Sequence, residues 1–187
     1  MRVGLVCPYS FDVHGGVQNH VRDLAAQPVP HLTAERFAAL ASRPGARTLE
    51  QAAILAESDA LVAELREADT IVLGLPMYNF GVPSTLKAYF DHVARAGVTF
   101  RYAASGPEGL LKGKRAVVFA ARGGLYAGTS RDTQTGYIRD FLAFLGITDV
   151  DFVYAEGLAM GEAPREAGLA RAHAALAALP VNEPLAA

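Results

Sequence analysis

Apolar residues along the chain gather into short continuous runs rather than alternating with polar ones. Arg2 to Cys7, Thr70 to Leu75, Arg115 to Ala120 and Asp151 to Ala155 each read as strands covered on both faces, the pattern of a parallel sheet. Between these runs the apolar positions recur at helical spacing. Thr48, three residues before Gln51, has capping-box spacing and opens an Ala/Leu-rich helix predicted to run to about Ala68. Ser84 and Thr85 follow Pro83 and start a second helix, with Leu86, Tyr89, Phe90 and Val93 on one face and Gly97 as its stop. A third helix is predicted over Gln134 to Leu145 and a fourth over Glu166 to Leu179.

Strands that alternate with helices imply right-handed crossovers and helices on both sides of a parallel sheet. The expected fold is therefore α/β, of the flavodoxin-like or Rossmann-like class, a three-layer sandwich built as one domain over residues 1–187, with 1–20 atypical. In such sheets ligands bind beyond the carboxyl ends of the strands, so the loops that follow them are the candidate sites. After Leu75 comes Pro76-Met77-Tyr78-Asn79-Phe80-Gly81-Val82-Pro83. Prolines at both ends stiffen it, the N–H groups of Met77 to Gly81 are expected to face a ligand, and Tyr78 and Phe80 supply flat apolar surface for a planar ring. After Ala120 comes Ala121-Arg122-Gly123-Gly124-Leu125-Tyr126, where paired glycines let a backbone approach a ligand and expose adjacent N–H groups. After Cys7 the segment containing Ser10, His14, Gly15, Gly16, Val17 and Gln18 has the glycines and hydroxyl of a phosphate cradle. Core packing and ordinary turns are the competing readings of each loop. Together the three loops have what a flavin mononucleotide requires.

With 17 basic and 19 acidic residues the net charge is -2, which argues against nucleic acid as a partner. A composition of 51% hydrophobic and 19% charged residues suffices for a packed core. Cys7 stands alone and fits a reducing compartment; His14, His20, His31, His92 and His173 form no cluster, so no metal site is expected. No apolar stretch approaches the roughly 20 residues of a membrane span, and the expected location is cytoplasmic.

From about Val21 to Leu179 the chain resembles the FMN-dependent NADH-azoreductases, which are also NADH:quinone reductases. The resemblance rests on Pro76-Met77-Tyr78-Asn79-Phe80, on Leu86-Lys87-Ala88-Tyr89-Phe90-Asp91, on the run Val93 to Tyr102, on Gly106-Pro107-Glu108-Gly109-Leu110 and on Gly146-Ile147-Thr148-Asp149-Val150. It implies FMN as cofactor and NADH or NADPH as donor. It also implies a quinone or azo compound as acceptor, ping-pong hydride transfer through flavin N5, and a homodimer with the flavin near the interface. The segment matching Met77 to Phe80 would lie along the isoalloxazine ring and that matching Ala121 to Gly124 would bind its pyrimidine edge. Ala121 stands where the family has Ser, which removes one hydroxyl. Phe100, Tyr102 and Tyr126 are candidates for a substrate wall, and Met160 stands where the family often has Tyr. No catalytic side chain is assigned, since water or Tyr78 would serve as well as Tyr126 as a proton source.

The first twenty residues depart from that family. They resemble the start of a GT-B phosphatidylinositol mannosyltransferase, as in a chimera. A gap-free alignment still sets Ser10, Gly16, Val17 and Gln18 on phosphate-loop positions, with two hydroxyl donors lost. Too little chain follows for the family's first helix and second strand. Either Val17 to Ala26 is a shortened helix and the edge strand is missing, or Val21 to Leu24 pairs as that strand. FMN retention weaker than in an intact family member is expected. The alternatives are a non-catalytic flavodoxin-like module and a glycosyltransferase fragment, the latter short of the second domain it needs.

Overall fold

In the computed structural model of the chain, residues 3–7, 19–43 and 45–179 are described. Five parallel strands form the sheet: β1 (Val3–Cys7), β2 (Asn19–Asp23), β3 (Thr70–Pro76), β6 (Arg115–Ala121) and β7 (Asp149–Ala155), in the order β2-β1-β3-β6-β7. The sheet explains the continuous apolar runs. Ile71, Leu73 and Leu75 of β3 and Ala116, Val118 and Ala120 of β6 face one helical layer, whereas Val117 and Phe119 belong to the cluster on the other face.

The first layer is made by α2 (Leu49–Glu67), α3 (Ser84–Val93) and α4 (Thr135–Leu145), which bring Leu61, Val62, Leu65, Leu86, Phe90, Ile138 and Leu142 into one core. The second layer contains α5 (Glu162–Ala177), whose Ala172 packs with Val117 and Val153. The capping box at Thr48 is formed in both directions, Gln51 N–H to the Thr48 hydroxyl and Thr48 N–H to the Gln51 side chain, each at 3.1 Å. Among the described residues no helix is long and apolar enough to cross a membrane, and no group of His, Cys, Asp and Glu could hold a metal.

Four features differ from the pattern reading. The edge strand is present: β2 pairs with β1 from Val3↔Asn19 to Cys7↔Asp23, so the strand alternative holds over a slightly longer span than Val21 to Leu24. A short α1 (Ala34–Leu40) precedes α2, capped by Thr33, whose hydroxyl accepts from Arg36 N–H at 3.2 Å. Helix α5 begins at Glu162 rather than Glu166, because Pro164 falls in the first turn, where its missing N–H is harmless. A hairpin, β4 (Phe100–Ala103) against β5 (Gly106–Gly109), lies between α3 and β6.

The hairpin is rooted at the far end of α4. Gly146 ends that helix with φ 99°, and a Cβ on Gly109 would lie 2.0 Å from the Gly146 nitrogen, so two backbones touch where no side chain fits.

Candidate functional site

The strand register puts the site loops side by side. Pro76 pairs with Ala121 and Ala121 with Ala155, so the three chains leave the sheet in one row, with neighbouring strands about 4.8 Å apart. The loop after β1, with Ser10, Gly16, Val17 and Gln18, lies outside the described residues.

The loop after β3 folds back on itself. Tyr78 N–H donates to Gly81 O at 3.2 Å and Gly81 N–H to Tyr78 O at 2.8 Å, while Met77 N–H donates to Ala121 O at 3.2 Å. The expectation that all five amides from Met77 to Gly81 face a ligand is thereby corrected. Three are spent within the protein, and only Asn79 and Phe80 N–H lack an acceptor among the described residues. Both have positive φ, 48° and 63°, the sign shared by the two central residues of a type I′ turn. A bulky residue in this region costs about 1–3 kcal/mol, and such strain concentrates at functional sites. The turn leaves Tyr78 and Phe80 half exposed, with Met77 partly and Pro76 fully covered.

The loop after β6 divides its donors. Tyr126 and Ala127 N–H turn inward and both donate to Glu156 Oε1 at 2.9 Å. Gly123 and Gly124 N–H donate to no acceptor among the described residues, whereas their carbonyls accept from Ala159 and Gly157 N–H, each at 3.0 Å. A Cβ on Gly124 would stand 2.9 Å from the Tyr126 ring, and one on Gly123 3.1 Å from the Ala159 methyl. Tyr126 in turn meets Phe80 edge to face, ring centroids 5.8 Å apart, which closes the wall between the two loops.

Arg122 is turned into the protein. It is 1% exposed, its N–H donates to Ala155 O at 2.9 Å and its carbonyl accepts from Leu158 N–H. The guanidinium donates to Glu156 at 3.2 Å and to Asp132 at 2.8 Å, and lies 5.0 Å from the centroid of the Tyr154 ring. Burial acts to raise the Asp132 carboxyl, but hydrogen bonds from Arg122 and Thr135 outweigh it and hold the group below its ordinary range. Arg122 is thus a strut beneath the glycines, its guanidinium bonded to Glu156 and Asp132. Ala121 has an exposed side chain and stays at the rim.

Two of the three expected wall residues lie elsewhere in the chain. Phe100 is 7% exposed and packs on Phe144 with centroids 4.3 Å apart, so it is core rather than wall. Phe144 is nine residues along α4 from Thr135, a rise of about 14 Å away from the site edge. Tyr102 is 77% exposed on the same remote hairpin. Only Tyr126 joins the site.

The pattern reading missed Glu156, Asp132, Thr133 and Gln134. Asp132 Oδ1 accepts from Gln134 and Thr135 N–H and so starts α4. Thr133 donates its hydroxyl to Phe80 O, and Gln134 Nε2 donates to Pro76 O at 2.9 Å and Gly81 O at 3.0 Å. The polar run Arg131-Asp132-Thr133-Gln134 before an apolar helix was the available signal, as was Glu156 directly after a buried strand.

This geometry can be set beside known proteins. The family described as Flavodoxin-like fold matches residues 13–179. An FMN-dependent NADH:quinone oxidoreductase of Alcanivorax borkumensis is 58% identical over 158 residues, 84% of this chain and 80% of that protein. One from Burkholderia lata is 56% identical over 163 residues, 87% and 82% of the two chains. Among solved structures, azoreductase AzrA superposes with a TM-score of 0.80 at 25% identity, over 94% of this chain and 99% of that one. The comparisons lend no support to a glycosyltransferase origin for the first twenty residues.

Proposed function

We propose, from the premise that this chain belongs to the flavodoxin-like family of the FMN-dependent NADH:quinone oxidoreductases, that it binds FMN at the carboxyl edge of its sheet and carries electrons from NADH to a quinone. The observation that carries this reading is the pair of loops, leaving adjacent strands in register, whose Asn79, Phe80, Gly123 and Gly124 amides lack an acceptor among the described residues. Backbone donors held in place by the protein suit the carbonyl and ring-nitrogen acceptors of a flavin, and Gly123 and Gly124 pass so close to Ala159 and Tyr126 that a Cβ would crowd them.

When bound, FMN would supply the two-electron hydride chemistry, with the Asn79, Phe80, Gly123 and Gly124 amides holding its ring. The chain orients and stabilises. Gly123 and Gly124 N–H would stabilise negative charge on the ring, and Arg122, bonded to Glu156 and Asp132, would brace the loop that carries them. Phe80, Tyr126 and Tyr78 provide the apolar wall against which planar rings stack. Ser10, Gly16, Val17 and Gln18 would hold the phosphate, less firmly than a loop richer in hydroxyls.

Azo compounds enter as a second acceptor class through the likeness to azoreductases. The proposal includes a homodimer, and Tyr102 acts as a substrate wall only across such an interface. The direct test is to add FMN, desalt, and mix the protein with NADH and then a small naphthoquinone without oxygen. Retained yellow flavin that bleaches with NADH and recovers with the quinone is expected. Folded but colourless protein would reduce the chain to a non-catalytic module.

A further inference from the structure

The turn at Asn79 and Phe80 sits in a backbone region from which non-glycine residues relax unless both ends are held. Gln134 holds both ends. Its Nε2 donates to Pro76 O at 2.9 Å and to Gly81 O at 3.0 Å, and the side chain is completely buried. Both neighbours are acceptors, so the position requires a donor; an ionised Glu would be repelled from both carbonyls. The opposite atom, Oε1, is buried with no hydrogen-bond partner among the described residues, a penalty that an apolar side chain of equal volume would avoid. A residue kept only for packing has no use for that arrangement.

The neighbours of Gln134 extend the restraint. Thr133 donates its hydroxyl to Phe80 O, in the middle of the strained turn. Asp132 accepts from Arg122, the strut beneath Gly123 and Gly124. Three consecutive side chains at the start of α4 therefore reach both loops of the site, and the spacing between the loops is set by one short rigid segment.

We propose that Gln134 is a positioning residue for flavin binding and hydride transfer: by bonding Pro76 and Gly81 it fixes the Asn79–Phe80 turn against the Gly123–Gly124 amides. The inference rests on the FMN reading above. Gln134 touches no reacting atom, and its action passes through the turn, whose aromatic surface sets how a nicotinamide stacks.

The test uses Gln134→Met, which preserves volume and removes the donor, and Thr133→Val, which removes only an exposed tether. Three quantities are measured: the FMN dissociation constant by flavin fluorescence, the melting midpoint of the flavin-free protein, and the single-turnover rate of flavin reduction by saturating NADH in flavin-saturated protein. Gln134→Met is expected to weaken FMN about tenfold and to slow reduction of the bound flavin about tenfold, with Thr133→Val shifting both about threefold in the same direction. A lowered melting midpoint with FMN affinity and reduction rate unchanged would show that Gln134 only supports the fold and would overturn the inference. If Gln134→Met does not fold, Thr133→Val decides, and unchanged affinity and rate there overturn it equally. An unsubstituted protein that takes up no FMN would defeat the FMN reading itself and the inference with it, a result distinct from a variant that behaves like the parent.

Discussion

The two ends of α4 solve opposite problems. At its start, Asp132, Thr133, Gln134 and Thr135 bond to Arg122, Phe80, Pro76, Gly81 and Tyr154, a dense polar frame beneath strained, donor-rich loops. At its end, Phe144 meets Phe100, Leu145 O accepts from Leu111 N–H at 2.8 Å, and Gly146 lies against Gly109 with no room for a methyl group. The first end accepts buried charge and unusual backbone in order to aim amides outward. The second is ordinary close packing. One helix thus separates the residues that frame the candidate site from those that anchor a hairpin, and substitutions at the two ends should fail in different ways.

The largest effect is expected from Arg122→Met. Removing the guanidinium leaves the Glu156 and Asp132 carboxylates with their backbone and hydroxyl donors but without the cation they share, so urea unfolding should show a loss of about 3–5 kcal/mol, with FMN affinity falling as well. Gly109→Ala should come next, at about 3 kcal/mol from the collision with the Gly146 backbone, but the folded fraction should bind FMN as the parent does. If Gly109→Ala weakened FMN as strongly as Arg122→Met, the two ends would not be separable.

Acid should find the polar end first. The Asp132 carboxyl is held below its ordinary value of 3.8 in the folded protein, so its contribution is fully present above that value and is lost as pH falls through the lowered one. Unfolding followed from neutral pH downward should therefore show an acid-dependent decline that Asp132→Asn flattens while lowering stability at neutral pH. A decline of the same steepness in Asp132→Asn would assign the acid limb elsewhere. The smallest effect belongs to Tyr102→Ala. At 77% exposure it should change monomer stability by less than about 0.5 kcal/mol, and a sedimentation measurement will register it only if the hairpin meets a second copy.

Much of this was legible before any coordinates. Covered strands leave continuous apolar runs, and the Thr48/Gln51 box states its own helix start; these located four of the five strands and α2 to within two residues, while the edge strand β2 stood as one of two alternatives. Glycine pairs and prolines marked two of the loops. The division of labour within those loops was not legible, because backbone amides carry no residue code. That Tyr126 and Ala127 N–H find an acceptor while Gly123 and Gly124 N–H find none among the described residues depends on Glu156, thirty residues on, and no local pattern announces such a pairing. Arg122 illustrates the same limit. An arginine before two glycines looks like a ligand contact, and only its distance to Asp132 and Glu156 shows it to be a strut. The hairpin escaped because its strands are four residues each and β5 is half glycine, which alternation cannot reveal.

In the proposed complex the amides of Asn79, Phe80, Gly123 and Gly124 meet the flavin. Following backbone amide resonances while FMN is added would settle it. Large shifts at Asn79, Phe80, Gly123 and Gly124, with Gly109 and Gly146 unmoved, are the predicted result; silence at the first four, or shifts concentrated at the hairpin end of α4, would contradict it.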